Sequence, residues 1–208
     1  MITYHYTFNL SYFFDFSIDL NSFLLKITPP IFSACFLFVS GYSSNLSKNS
    51  TKRGFYVLFW GMIITLVTFF VLPEAPIYFG ILHCIGIMMI LKGSLLNKIS
   101  DGLLLGLFFS VLTIGFMIKD YYLDHDYLLF LGLISKSFSS LDYYPLIPHG
   151  AYFILGLFFA RKFKSDFLIN APENKIGEAI TLLGKNSLKV YLLHQPLFFL
   201  IYFFIKML

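Results

Sequence analysis

The chain has 208 residues, of which 58% are hydrophobic, 20% aromatic and only 12% charged, with a formal charge of +4. Soluble domains carry roughly a quarter of their residues as charges, and no water-soluble core of this size would hide 27 Phe and 14 Tyr side chains; a soluble globular domain is therefore excluded, and the positive charge is not read as a nucleic-acid surface. A bilayer accommodates such a composition, because its hydrocarbon interior is itself the solvent.

Spanning helices need about 20 mainly apolar residues. In chain order, such runs are expected from Met1 to about Phe16, from about Pro30 to Leu46, from Gly54 to Leu72, and from Ile77 to about Leu96. Three more follow, from Gly102 to Met117, from about Tyr143 to Ala160, and from about Ser187 to Ile205. The expected fold is an all-α membrane protein, a single-domain bundle of about seven transmembrane helices. The apolar patch Tyr127–Ile134 is too short to span and reads as an interfacial segment, with Tyr121, Tyr122, Tyr127, Tyr143 and Tyr144 forming an aromatic belt.

Basic residues set the orientation. Lys48, Lys52 and Arg53 follow the second run, Lys92 and Lys98 close the fourth, and Arg161, Lys162, Lys164, Lys175, Lys185 and Lys189 follow the sixth. These are alternate connections, so all can face one side. The other connections hold mainly acidic residues, among them Asp15, Asp19, Glu74, Asp124, Asp126 and Asp142. The positive-inside rule then places the N-terminus inside and the C-terminus outside. Cys35 and Cys84 sit singly in apolar runs with no metal spacing, and no metal is expected.

Ionisable groups at membrane depth default to functional candidates. His5 lies roughly 15 Å below the outer end of the first run; His83 falls in the outer half of the fourth, His149 near the outer end of the sixth, and His194 in the inner half of the seventh. Together they form a ladder of imidazoles that could pass a proton or an acyl group; each could instead hydrogen-bond a neighbouring helix or loop. Asn9 lies one turn after His5 on the same face and could orient its ring or join two helices. Asp142, ahead of Tyr143-Tyr144-Pro145, could orient a substrate hydroxyl or amine, or cap the helix that follows. The inner basic cluster around Lys52 and Arg53 could hold phosphates, although orientation alone accounts for it.

Three stretches carry a resemblance. They are Ile77-Tyr-Phe-Gly-Ile-Leu-His-Cys-Ile-Gly86, Leu141-Asp-Tyr-Tyr-Pro-Leu-Ile-Pro-His-Gly-Ala-Tyr-Phe-Ile-Leu-Gly156 and Leu183-Gly-Lys-Asn-Ser-Leu-Lys-Val-Tyr-Leu-Leu-His-Gln-Pro196. In order and spacing the chain resembles bacterial membrane proteins with a heparan-alpha-glucosaminide N-acetyltransferase-like catalytic domain. The resemblance implies a transmembrane acyltransferase in the plasma membrane, taking an acetyl group from cytosolic acetyl-CoA to an extracytoplasmic sugar or similar acceptor. His5 falls at the polar position of the family's first span and would act as general base or transient acyl acceptor, oriented by Asn9. Asp142 and His149 would face the acceptor. His194 and Gln195 would lie nearer the thioester, with Lys52, Arg53 and His83 also assigned to the donor. The Arg-Gly pair that opens the family's first span is absent, so the chain is expected to lack the family's extreme N-terminus. A proton-coupled permease using the same histidines, and a non-catalytic membrane scaffold, remain the competing readings, and homo-oligomerisation is left open.

Overall fold

A computed structural model describes residues 2–14, 16–17, 22–74, 76–163 and 174–207. Met1, Asp15, Asp19 and Lys164, used above to set the first span and the charge pattern, lie outside the described residues. Eight helices account for most of the described chain: α1 (Ile2–Phe14), α2 (Phe23–Leu46), α3 (Ser50–Val71), α4 (Ile81–Ser94), α5 (Asp101–Ile118), α6 (Leu146–Lys162), α7 (Lys175–Lys185) and α8 (Ser187–Met207). Among the described residues, three are long and apolar enough to cross a membrane: α2 over Leu25–Leu46, α3, and α5. Their outward faces carry Val39, Phe55, Phe59, Met62, Leu66, Phe70, Leu103, Phe109 and Phe116, all exposed. An aqueous protein rarely shows contiguous apolar faces of this kind, whereas lipid tails cover them without cost.

The chain divides into two compact units, Ser33–Ser165 and Met1–Phe32 with Asp166–Leu208, and each is described by itself. In the larger unit α3 packs on α4, α5 on α6 and α4 on α6. Leu37, Cys84, Leu104, Phe153 and Leu157 are completely buried there. Glycines permit the closest crossings. A Cβ on Gly41 of α2 would collide with the Phe153 carbonyl of α6, and one on Gly156 with the Phe38 carbonyl of α2. Between α3 and α4, a Cβ on Gly54 would stand 2.7 Å from the Gly86 carbonyl oxygen. Small residues at such crossings let backbones approach, which is how helices gain contact area in a solvent as apolar as their side chains. In the smaller unit α1 packs on α8, and α7 adjoins α8.

Several boundaries differ from the hydropathy reading. The fourth helix starts at Ile81 rather than Ile77, because residues ahead of it are held extended. The Tyr144 N–H donates to the Phe79 carbonyl at 2.8 Å, and Phe79 bridges Tyr143. The sixth helix likewise starts at Leu146 rather than Tyr143, with Ile147 extended before Pro148, as the residue before a proline prefers. The second begins at Phe23, ahead of Pro30. The patch Tyr127–Ile134 forms a single 3-10 turn, Leu129–Leu131, ended by Gly132 at φ +97°, a conformation that favours glycine. Short strands β1 (Tyr122–Leu123) and β2 (Ile134–Ser135) pair in parallel around it. Asp126 fastens this loop by accepting from the Ser135 N–H at 2.6 Å and the Ser135 hydroxyl at 3.2 Å.

Candidate functional site

In the smaller unit, α1 and α8 bring four sequence candidates together. His5 and Asn9 lie one turn apart on α1, hence on one face. His194 and Gln195 occupy α8. The His5 and His194 rings face each other with centroids 5.1 Å apart and planes tilted by 48°. His194 is only 8% exposed. Its Nδ1 contacts the Tyr191 carbonyl, which can only accept, so the proton resides on Nδ1. That tautomer leaves a lone pair on Nε2, a buried atom with no hydrogen-bond partner among the described residues. Orphaned buried polar atoms are rare and call for an explanation.

Asn9, 2% exposed, donates through Nδ2 to the Gln195 Oε1 at 2.5 Å. Its amide therefore ties α1 to α8. One turn away Tyr6 stacks on Phe198 at 4.7 Å. In an apolar surround such a bond contributes about 0.6–2 kcal/mol. A double-mutant cycle with Asn9→Leu and Gln195→Leu, read by thermal unfolding in detergent, is expected to return a coupling energy of that size. Strict additivity would contradict the pairing.

In the larger unit, His83 sits at the start of α4 as part of a closed network. The Gly80 N–H donates to its Nδ1 at 3.1 Å. The Thr65 hydroxyl donates to the Ile77 carbonyl at 2.6 Å and therefore accepts from His83 Nε2–H at 3.2 Å. Both ring nitrogens are engaged, and the ring is flanked by Phe79 at 5.4 Å and by Gly61, where a Cβ would stand 3.2 Å from the imidazole. His83 thus anchors the segment between α3 and α4. Thr65→Val is expected to leave the Nε2–H without an acceptor and cost about 1–3 kcal/mol of stability, measured as a lowered unfolding midpoint; an unchanged midpoint would show that the network carries no weight.

Asp142 approaches the same segment. Its Oδ2 accepts from the Ile81 N–H at 3.2 Å and so caps the first turn of α4. His149 donates through Nδ1 to the Pro145 carbonyl at 3.2 Å and meets Tyr144 edge-on at 5.0 Å. In the loop ahead of α6, the Tyr143 hydroxyl donates to the Leu129 carbonyl at 2.6 Å. Burial first, and then the Asp126 carboxylate, push this phenol up to about 12, so it remains a donor at any physiological pH. Close by, Glu74, Tyr78, Asp126, Ser137 and Phe138 line a pocket of about 250 Å³.

Lys52 and Arg53 are exposed in the first turn of α3, whose cap is the Asn49 side chain accepting from the Lys52 N–H at 3.0 Å. No acidic residue shares that turn. Cations at a helix N-terminus meet the positive end of its dipole, an arrangement that an anion would relieve. Two other cations acquire roles that the sequence reading missed. Lys92, 4% exposed, donates to the Ser44 carbonyl at 3.0 Å. Arg161 donates to the carbonyls of Leu96 and Ile99 at 2.6 and 2.8 Å, with Asp101 at 3.5 Å. Both lie in last helical turns, the one local signal that would have suggested carbonyl capping. Among the described residues no cluster of three or more His, Cys, Asp or Glu is placed to hold a metal.

The family model described as heparan-alpha-glucosaminide N-acetyltransferase, catalytic, matches residues 1–196. No curated protein and no solved structure matches the chain.

Proposed function

We propose, for a chain that belongs to the heparan-alpha-glucosaminide N-acetyltransferase catalytic family, that it is a multi-pass acetyltransferase of the plasma membrane. It takes the acetyl group of acetyl-CoA on the inner side to a sugar or similar acceptor on the outer side. About seven spans with the N-terminus inside fit the alternation of basic and acidic connections.

The single observation that carries this reading is the facing pair His5–His194, with a buried Nε2 lone pair on His194 that has no hydrogen-bond partner among the described residues. A neutral imidazole in this state is a nucleophile or a base near neutral pH. In the proposed sequence a His5 ring nitrogen attacks the thioester carbonyl. The C–S bond breaks, the thiolate leaves as CoA, and His194 Nε2 takes the proton that the His5 ring loses. An acceptor amine or hydroxyl then attacks the acetyl carbon, His5 departs, and the acceptor's proton and the one on His194 return the pair and the CoA thiol to their neutral forms. Asn9 and Gln195 hold α1 and α8 in the register that keeps the rings opposed.

Lys52 and Arg53 are proposed for the donor's phosphates, for which their place at the positive end of α3 argues. His83, with both nitrogens engaged, holds the α3–α4 segment rather than reaching the donor. Asp142 and His149, with the loop pocket, are proposed for the acceptor, since carboxylates, hydroxyls and an aromatic face suit a polyhydroxylated ring. The chain in detergent should release CoA thiol from acetyl-CoA faster when a sugar acceptor is added, and His194→Ala should abolish that acceleration. Solute transport without thioester cleavage would instead favour a carrier.

A further inference from the structure

The basic connection between the sixth and seventh apolar runs, from Arg161 to about Asn186, is not wholly a loop: part of it folds into α7, eleven residues long. Asn174 caps it, accepting from the Gly177 N–H at 2.8 Å. Ile176, Ala179, Ile180 and Leu183 recur at the i, i+3, i+4, i+7 spacing of one helix face. That face is uncovered: Ile176, Ile180 and Leu183 are 71, 62 and 58% exposed, and Leu182, toward the Glu178 side, is exposed as well. The side turned inward is made instead of Gly177, which is buried, and Thr181, which is half-buried. A helix in water would present the opposite arrangement, because leaving three large aliphatic side chains wet forfeits about 1.5–3 kcal/mol each.

We propose that α7 lies in the headgroup layer of the bilayer, its Ile176–Ile180–Leu183 stripe facing the acyl chains and its lysines facing anionic phospholipid. Two observations name lipid as the occupant. Lys175 and Lys185 stand at the two ends of the helix and Lys189 follows in the next turn, a cationic rim that complements anionic headgroups. Only Asn186 separates α7 from α8, an apolar helix of 21 residues, and with α8 as the last span of the proposed bundle the stripe is tethered at the depth where an interfacial helix resides. The inference rests on membrane residence and not on acetyl transfer.

The test uses the full chain in nanodiscs of phosphatidylcholine, alone or with phosphatidylglycerol. Cys35, which is exposed, is changed by Cys35→Ser, and Cys84 is buried against labelling. An environment-sensitive fluorophore is attached through Ile180→Cys or, on the polar side, Glu178→Cys. Ala179→Cys repeats the stripe reading at a smaller side chain should the first variant fold poorly. The label at 180 or 179 should be blue-shifted, shielded from iodide and quenched by shallow spin-labelled lipid; the label at 178 should be quenched by iodide. Neutralising Lys175, Lys185 and Lys189 to Gln should lower the docked-to-free ratio roughly fivefold per lysine in anionic discs, with little change in phosphatidylcholine alone. A stripe label open to iodide in both lipids overturns the proposal, as does one shielded from iodide yet untouched by the lipid quencher, which would mean that protein covers the face. No readout involves acetyl-CoA, so this failure is separate from failure of the acyltransferase reading.

Discussion

His5→Ala is expected to lower acetyl transfer by about a hundred- to ten-thousand-fold, the range for removing a positioned general base or nucleophile. The loss should come without unfolding. Alanine is the best helix former, and the bond that ties α1 to α8 belongs to Asn9 and Gln195 rather than to His5. His5→Gln should be equally inactive, since an amide keeps hydrogen bonding but has no basic nitrogen. Added imidazole should restore part of the rate to His5→Ala. His83→Ala provides the contrast: its ring nitrogens are bound to Gly80 and Thr65, so it should lower the unfolding midpoint more than the turnover of the folded fraction. Steady-state rates together with unfolding curves on the same preparations separate the two. Equal activity of His5→Ala and the parent chain would remove the histidine pair from the chemistry.

The largest structural effect is expected at the α2–α6 crossing. Gly156→Leu places a branched side chain where even a Cβ meets the Phe38 carbonyl, and the obstacle is backbone, which cannot rotate aside. Overpacking in a dense core costs about 1–3 kcal/mol even where side chains can adjust, so this variant should fail to give a monodisperse folded protein. Gly156→Ala, whose lone Cβ already meets that backbone oxygen, should be destabilised by at least the upper end of that range. Gly106→Ala, at a position where an added Cβ meets nothing within 4 Å, should be neutral or slightly stabilising. Size-exclusion profiles and unfolding midpoints of the three distinguish a packing requirement from mere intolerance of substitution in a helix.

Composition made the membrane class legible, because 27 Phe residues in 208 have no aqueous solution. The three quoted motifs made the family legible through particular residues such as His194-Gln195-Pro196. His5 and His194 stood out one by one as ionisable groups at depth, and Asn9 by its spacing from His5. Their pairing did not, because Asn9 and Gln195 are 186 positions apart and nothing local encodes which helices meet. The same distance effect hid one contact of Asp142: the sequence offers it to a substrate or to the helix it precedes, and its carboxylate also accepts from the Ile81 N–H at the start of α4, 61 residues earlier. Helix α7 carries no long apolar run to mark it. Its eleven residues mix lysines and glycines with aliphatics, and only their angular placement around the helix reveals the stripe. The starts of α4 and α6 differ from the hydropathy expectation for a related reason. Ile77–Gly80 and Tyr143–Pro145 are apolar enough to extend a span, but they pair with one another as extended chain instead.

The central claim is that the histidine pair carries or activates the acetyl group, and one experiment addresses it directly. The purified chain is mixed with acetyl-labelled acetyl-CoA without acceptor, quenched within a turnover and tested for protein-bound label, in parallel with His5→Ala and His194→Ala. The account predicts label on the parent chain that neutral hydroxylamine removes, none on His5→Ala, and slowed labelling on His194→Ala. Neither label nor hydrolysis of acetyl-CoA by the parent chain, or label undiminished in His5→Ala, would contradict it.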